Sequence, residues 1–207
     1  MSLNRYDLNP LQMDMLKEIT NIGAGNAATA LADILADRVL MSVPDLQITG
    51  IGQVAEVLGG PENEVAGVLL VIEGDIEGIL MFILEKKLIH TLLGVLLNKE
   101  ISDWSQIDDM DMSMFKEIGN IIAGAYVNAL AEMSNMTIHI SPPEIAIDMV
   151  GAILNYPAAV FGAIGDTVLF VKEDFDSGDY QVSCHLLIIP LPESLQLILK
   201  RLGGENG

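Results

Sequence analysis

Two sets of polar side chains recur in this chain at one spacing: Asp14, Glu18 and Asn21, then Ser113, Glu117 and Asn120. At roughly 100° per residue on a helix, each set falls within one narrow stripe. Met15, Ile19, Ile22 and Asn26 fall on the opposite side of the first helix, and Met114, Ile118, Ile121 and Ala125 on that of the second. Each stripe therefore presents a carboxylate and an amide one turn apart. A carboxylate accepts hydrogen bonds and pairs with cations, and an amide both donates and accepts. The ordinary alternative is a solvated helix face, which has no need to be the same twice. The residue pattern alone leaves both readings open.

The stripes belong to a longer duplication, because Asp14 to Pro44 and Ser113 to Pro143 align without a gap. Lys17/Lys116, Ala24/Ala123, Gly25/Gly124, Leu31/Leu130 and Ser42/Ser141 are among the further identities. Other chemistry finds less support. His90, His139 and His185 are scattered and form no pair with metal-ligand spacing. Cys184 and His185 are neighbours in a strand-like run, so their side chains point to opposite faces. The string from Gly23 to Ala28 matches a dinucleotide fingerprint, with Asp45 beyond it. That motif needs a strand before its first glycine, whereas Leu11 to Asn21 reads as helix, and the second copy has Ile122 at that glycine.

A net charge of -19 and a pI near 4.2 argue against nucleic acid as a partner, since phosphate binding rests on clustered Lys and Arg. Mean hydropathy is high at +0.44. The longest apolar runs, Gly67 to Ile72 and Gly78 to Leu84, nevertheless fall short of the roughly 18 residues of a membrane span and suit buried strands. No membrane span is expected. One cysteine and an N-terminus without an apolar stretch point to a cytoplasmic protein.

The elements that must hold the stripes follow from capping and period. Asn9 and Pro10 start a helix that runs to about Leu35, with Gly23, Gly25 and the alanines from Ala24 to Ala32 as a close-packing flank. Arg38 to Val43 reads as a strand ended by Pro44, and Leu46 to Leu58 as a mixed extended segment. Val65 to Ile72 and Gly78 to Leu84 form a hairpin around Glu73-Gly74-Asp75, followed by a helix from Lys86 to Leu97. Asn98 to Asp109, with Trp104, links the halves, and Asp108 or Asp109 caps the second long helix. Ile145 to Leu154 reads as a short helix. Thr167 to Lys172 and Tyr180 to Ile189 repeat the hairpin around an acidic turn from Glu173 to Asp179, and Glu193 to Leu202 the closing helix. The expected fold is α+β: a pseudo-two-fold duplicated unit with an antiparallel sheet and two long helices packed on one face. Residues 1–207 should form one domain of two repeats, about 10–97 and 109–203.

The doubled arrangement Asp14-x3-Glu18-x2-Asn21-x22-Pro44 and Ser113-x3-Glu117-x2-Asn120-x22-Pro143 resembles the signature of the CheC family, chemotaxis phosphatases of the CheC/CheX/FliY group. The strings KEITNIGAGNAATAL and KEIGNIIAGAYVNALA carry the same resemblance, which covers essentially the whole chain. It implies hydrolysis of the aspartyl phosphate of the response regulator CheY, with two sites, each on a long helix. Asn21 and Asn120 would position the attacking water, and Glu18 and Glu117 would pair with the regulator's lysine. No cofactor of the chain's own is implied, since the regulator holds the Mg²⁺. Asp14 and Ser113 belong to the signature without a role, and Pro44 and Pro143 would fix the chain after the strand. The resemblance also implies the receptor deamidase CheD as a partner, contacted at Asp148 in the segment Ile145 to Met149. A non-catalytic module that binds phosphorylated CheY or CheD is the alternative.

Overall fold

A computed structural model describes residues 8–36, 39–161, 167–176 and 181–202. Helix α1 (Pro10–Leu35) starts where capping chemistry requires. The Asn9 side chain accepts from the Gln12 amide at 2.9 Å, and the Gln12 side chain accepts from the Asn9 amide at 3.0 Å. Its counterpart α4 (Asp109–Ser134) starts at Asp108, whose carboxylate accepts from the amides of Met110 and Asp111. Lys99 bonds the carboxylates of both Asp108 and Asp111, which ties the linker to the first turn of α4. The two helices end alike, on Ala36 and Asn135 in the left-handed conformation.

Between and after the long helices the chain forms β1 (Leu40–Met41), β2 (Asp45–Gly50), α2 (Ile51–Val57), β3 (Glu64–Gly74), β4 (Gly78–Glu85) and α3 (Lys86–Leu97). The second repeat supplies β5 (Ile138–Ile140), β6 (Glu144–Met149), α5 (Val150–Phe161), β7 (Thr167–Asp176), β8 (Gln181–Pro190) and α6 (Pro192–Leu202). The strands make one antiparallel sheet, ordered β1, β7, β8, β4, β3, β5, with β2 also on β7 and β6 also on β3. The short strands are thus exchanged, each repeat's pair completing the other repeat's hairpin. At the centre β4 pairs with β8, and Phe82 faces Leu186 there. These two occupy matching places in their repeats, so the pseudo-two-fold axis passes between them.

Strand alternation divides the apolar residues between two cores. On one face Val68, Leu70, Leu80, Phe82, Leu186 and Ile188 pack under α1, α4, α3 and α6. On the other, Ile79, Met81, Ile83, Phe170, Leu187 and Ile189 pack under α2 and α5. The two long helices do share one face, and two shorter helices cover the reverse.

Several expectations change. The segment Ile145 to Leu154 is not one helix: Glu144–Met149 is β6, and α5 begins at Val150. Its alternation of half-buried Ile145 and Ile147 with exposed neighbours is the period of a strand lying along β3. Leu46 to Leu58 resolves into β2 and α2, and the first short strand is limited to Leu40–Met41, with Arg38 outside the described residues. Glu173 is not in a turn, because β7 continues to Asp176 and buries it; Ser177 to Tyr180 lie outside the described residues. The underside of α1 is also rotated from expectation. Leu16, Ile19, Gly23 and Ala27 are buried, Met15 and Ile22 are half-buried, and Asn26 is exposed, since α1 must face both the sheet and α4.

Candidate active site

Each long helix is held so that its polar stripe points outward. α1 and α4 pack on one another through side chains of complementary size. A Cβ on Gly23 would lie 2.5 Å from the ring of Tyr126, so α4 fills the notch that this glycine leaves. The matching residues in the other direction are Ile122 and Ala27, large against small with the roles reversed, and both are buried. α4 also lies close on the sheet at Gly119, where a Cβ would come within 2.6 Å of Val68. The matching Thr20 instead satisfies its buried hydroxyl by donating to the Lys17 carbonyl at 2.8 Å.

With those faces buried, Asp14, Glu18 and Asn21 are exposed on α1, and Ser113 and Glu117 on α4, while Asn120 is half-buried. Among the described residues, none of Glu18, Asn21, Glu117 and Asn120 has its side chain engaged in a hydrogen bond or ion pair. Ser113 turns its hydroxyl back to donate to the Asp109 carbonyl at 2.8 Å. Lys116, beside Glu117, reaches Glu144 of β6 at 3.4 Å. Chemically each stripe offers a free carboxylate for a cation and a free amide for a water.

Pro44 and Pro143 lie in the breaks between β1 and β2 and between β5 and β6. Proline has no amide to give to the ladder, so the edge strand divides there. Ser42 and Ser141 hold the breaks in place: their amides donate to the carbonyls of Asp174 at 3.0 Å and Val71 at 2.9 Å.

Asp148 lies on neither stripe. It is exposed on β6 and lines a groove of about 400 Å³ on the reverse face of the sheet, with Gly67, Met81, Glu144, Ile153 and Tyr156. The matching place in the other half is filled. There Phe170, at the position of Gly67, stacks on His185, at the position of Met81, with ring centroids 5.4 Å apart. Burial and then the charge of Lys172 push the His185 imidazole down to about 4. Sequence reading did not anticipate the groove, since small side chains such as Gly67 become a groove only once α5 is laid across β3.

The sequence model of the CheC-like family matches residues 11–48 and 110–147, which contain both stripes. A Bacillus subtilis (strain 168) protein named CheY-P phosphatase CheC is 32% identical over 200 residues, covering 94% of this chain and 95% of that protein. The crystal structure of Thermotoga maritima FliY superposes with a TM-score of 0.75 at 23% identity, over 97% of this chain and 100% of that one. The CheX–CheY–BeF3–Mg²⁺ complex from Borrelia burgdorferi gives a TM-score of 0.53 at 18% identity, over 82% and 95%.

Proposed function

This chain belongs to the CheC-like family, and from that premise we propose that it hydrolyses the aspartyl phosphate of a CheY-type response regulator. The observation that carries the proposal is the pair of unengaged carboxylate and amide side chains, Glu18 with Asn21 and Glu117 with Asn120, all exposed but the half-buried Asn120, each on a helix locked by packing. The B. subtilis relative's name supports this activity. An acyl phosphate is already reactive, and the regulator keeps its own Mg²⁺ and lysine, so no residue of this chain is asked to hold the metal. What remains is a water placed in line with the phosphorus. Asn21 and Asn120 orient that water, accepting from it and donating to a phosphoryl oxygen. Glu18 and Glu117 pair with the regulator's lysine and set the docking register. The cytoplasm is the proposed place of action, which the buried free thiol of Cys184 suits.

The test is phosphate release from a phosphorylated CheY-type regulator. Asn21→Ala with Asn120→Ala should lower kcat on the order of a hundredfold, the usual scale for a lost positioning group, with little change in binding. Glu18→Ala with Glu117→Ala should raise KM, and the loss should shrink at high salt as exposed pairs are screened. Full activity in the double Asn variant would defeat the water-positioning role. A wild type that binds the regulator without accelerating phosphate loss would establish the binding module instead.

The second proposed partner is the deamidase CheD, docked at Asp148. The groove beside Asp148 supports this, because it offers apolar surface with acidic side chains on the face away from the stripes. Asp148→Lys should weaken CheD binding at least tenfold in a titration. Unchanged affinity would remove the assignment.

A further inference from the structure

The helical glycines of the two long helices divide into two kinds. Gly23 and Gly119 are packing glycines, with Tyr126 and Val68 where a Cβ would be. Gly25 and Gly124 are not: a Cβ at either would meet nothing within 4 Å. Neither has a positive φ, so backbone conformation does not require glycine either. Glycine inside a helix weakens it relative to alanine, and neither the packing nor the backbone of this chain gains from these two. Open surroundings alone are not diagnostic, since Gly52 and Gly94 share them. But the residue matching Gly52 is Gly151, packed 3.2 Å from Pro61, and the one matching Gly94 is Lys200. Among the described helices, bare glycine recurs in both repeats only at Gly25 and Gly124.

Both lie on the Glu/Asn stripe, one turn beyond Asn21 and Asn120. At the other end of each stripe stands an exposed apolar residue, again at matching places: Leu11 is 55% exposed and Met110 69%. Single exposed apolar side chains need no explanation, but a pair at one repeat position in line with a reactive stripe does. From Leu11 to Gly25 the helix rises about 21 Å, the width of a patch in an ordinary protein interface.

We propose that the regulator's footprint runs along each long helix from Leu11 to Gly25, and from Met110 to Gly124, with the apolar residue as anchor and the bare glycine as the point where the regulator's backbone closes on the helix. This rests on the phosphatase reading and adds the residues that decide which surface fits. The occupant is a polypeptide surface with a lysine and a phosphoryl group, complementary to Asp14 and Glu18 on α1 and to Glu117 on α4. A side chain at Gly25 would hold that surface away from the helix and lift the phosphoryl group from the Asn21 amide.

The test uses the full chain with Gly25→Leu and Gly124→Leu together, assayed on a CheY-type regulator phosphorylated by a small-molecule donor and titrated with its beryllofluoride form. A Cβ meets nothing within 4 Å at these positions and leucine favours helix over glycine, so Tm should hold or rise. kcat/KM should nevertheless fall at least tenfold and beryllofluoride-form binding weaken in parallel. Leu11→Asp with Met110→Asp should raise KM in the same direction. Gly94→Leu on α3, equally open but off the stripe, should keep wild-type kinetics. An active wild type whose paired glycine variant binds and turns over equally well would overturn the footprint while leaving the phosphatase reading intact. A wild type that neither binds nor accelerates would overturn both.

Discussion

Glu173 is the side chain whose surroundings depart furthest from what its charge would choose. It is 1% exposed, neither carboxylate oxygen has a hydrogen-bond partner, and its cross-strand neighbour is the buried thiol of Cys184. The matching residue in the first repeat is Leu70, buried in the same core and paired with Leu80. Burial pushes the Glu173 carboxyl up to about 8, so the fold holds it as a neutral acid near pH 7. Because its folded pKa lies above the unfolded value near 4.5, its contribution is fully present below about pH 4.5 and is lost as pH rises through about 8. His185 acts oppositely: with its pKa lowered from 6.5 to about 4, it costs stability as pH falls through that interval. Glu173→Leu should therefore raise the urea midpoint most at pH 8 to 9 and remove a decline of a few kcal/mol from the alkaline side. Parallel pH profiles for variant and wild type would show that the carboxyl carries no such cost. None of this was legible in the sequence, where Glu173 opens an acidic run that reads as a turn. Only the pairing with β8 carries the strand on to Asp176 and turns this residue inward.

Among the elements, the long helices were legible almost to the residue, because their ends are written in local chemistry: Asn9 with Pro10 and Asp108 with Asp111 cap by contacts within a few positions. The grouping of each stripe was legible for the same reason, since period alone places Glu18 and Asn21 together. The faces below were not, because three surfaces compete for each helix. Gly23 against Tyr126 shows the result: the second repeat has an aromatic ring that fills the gap left by a glycine of the first. The small-residue flank of α1 was expected to serve packing throughout. It does so at Gly23, Ala24, Ala27 and Ala28, but not at Gly25, which stays bare. β6 was misread because a segment of six residues holds too few periods to separate strand from helix. Its state is decided by the free edge of β3, which lies far away in sequence.

At the scale of the whole molecule, the exchange of short strands predicts that the two repeats fold as one cooperative structure. Without the second half, β1 and β2 lose β7, α1 loses α4, and β4 exposes the edge that β8 covers. Residues 1–98 expressed alone should therefore show no cooperative thermal transition by circular dichroism, and mixing with residues 99–207 should restore one. A sharp transition in either fragment alone would mean that each repeat is a domain in its own right. The sequence by itself determined the duplication, the caps, the hairpins, the charge, and the spacing that sets a carboxylate and an amide on one helix face. All of these depend on residue types and separations of a few positions. Only the tertiary structure decided which repeat completes which hairpin, that Asp148 stands over a groove filled in the other half, that Glu173 is buried, and which glycines are packed and which are bare. Those outcomes depend on what lies across a strand or a helix contact, and that neighbour comes from the other repeat.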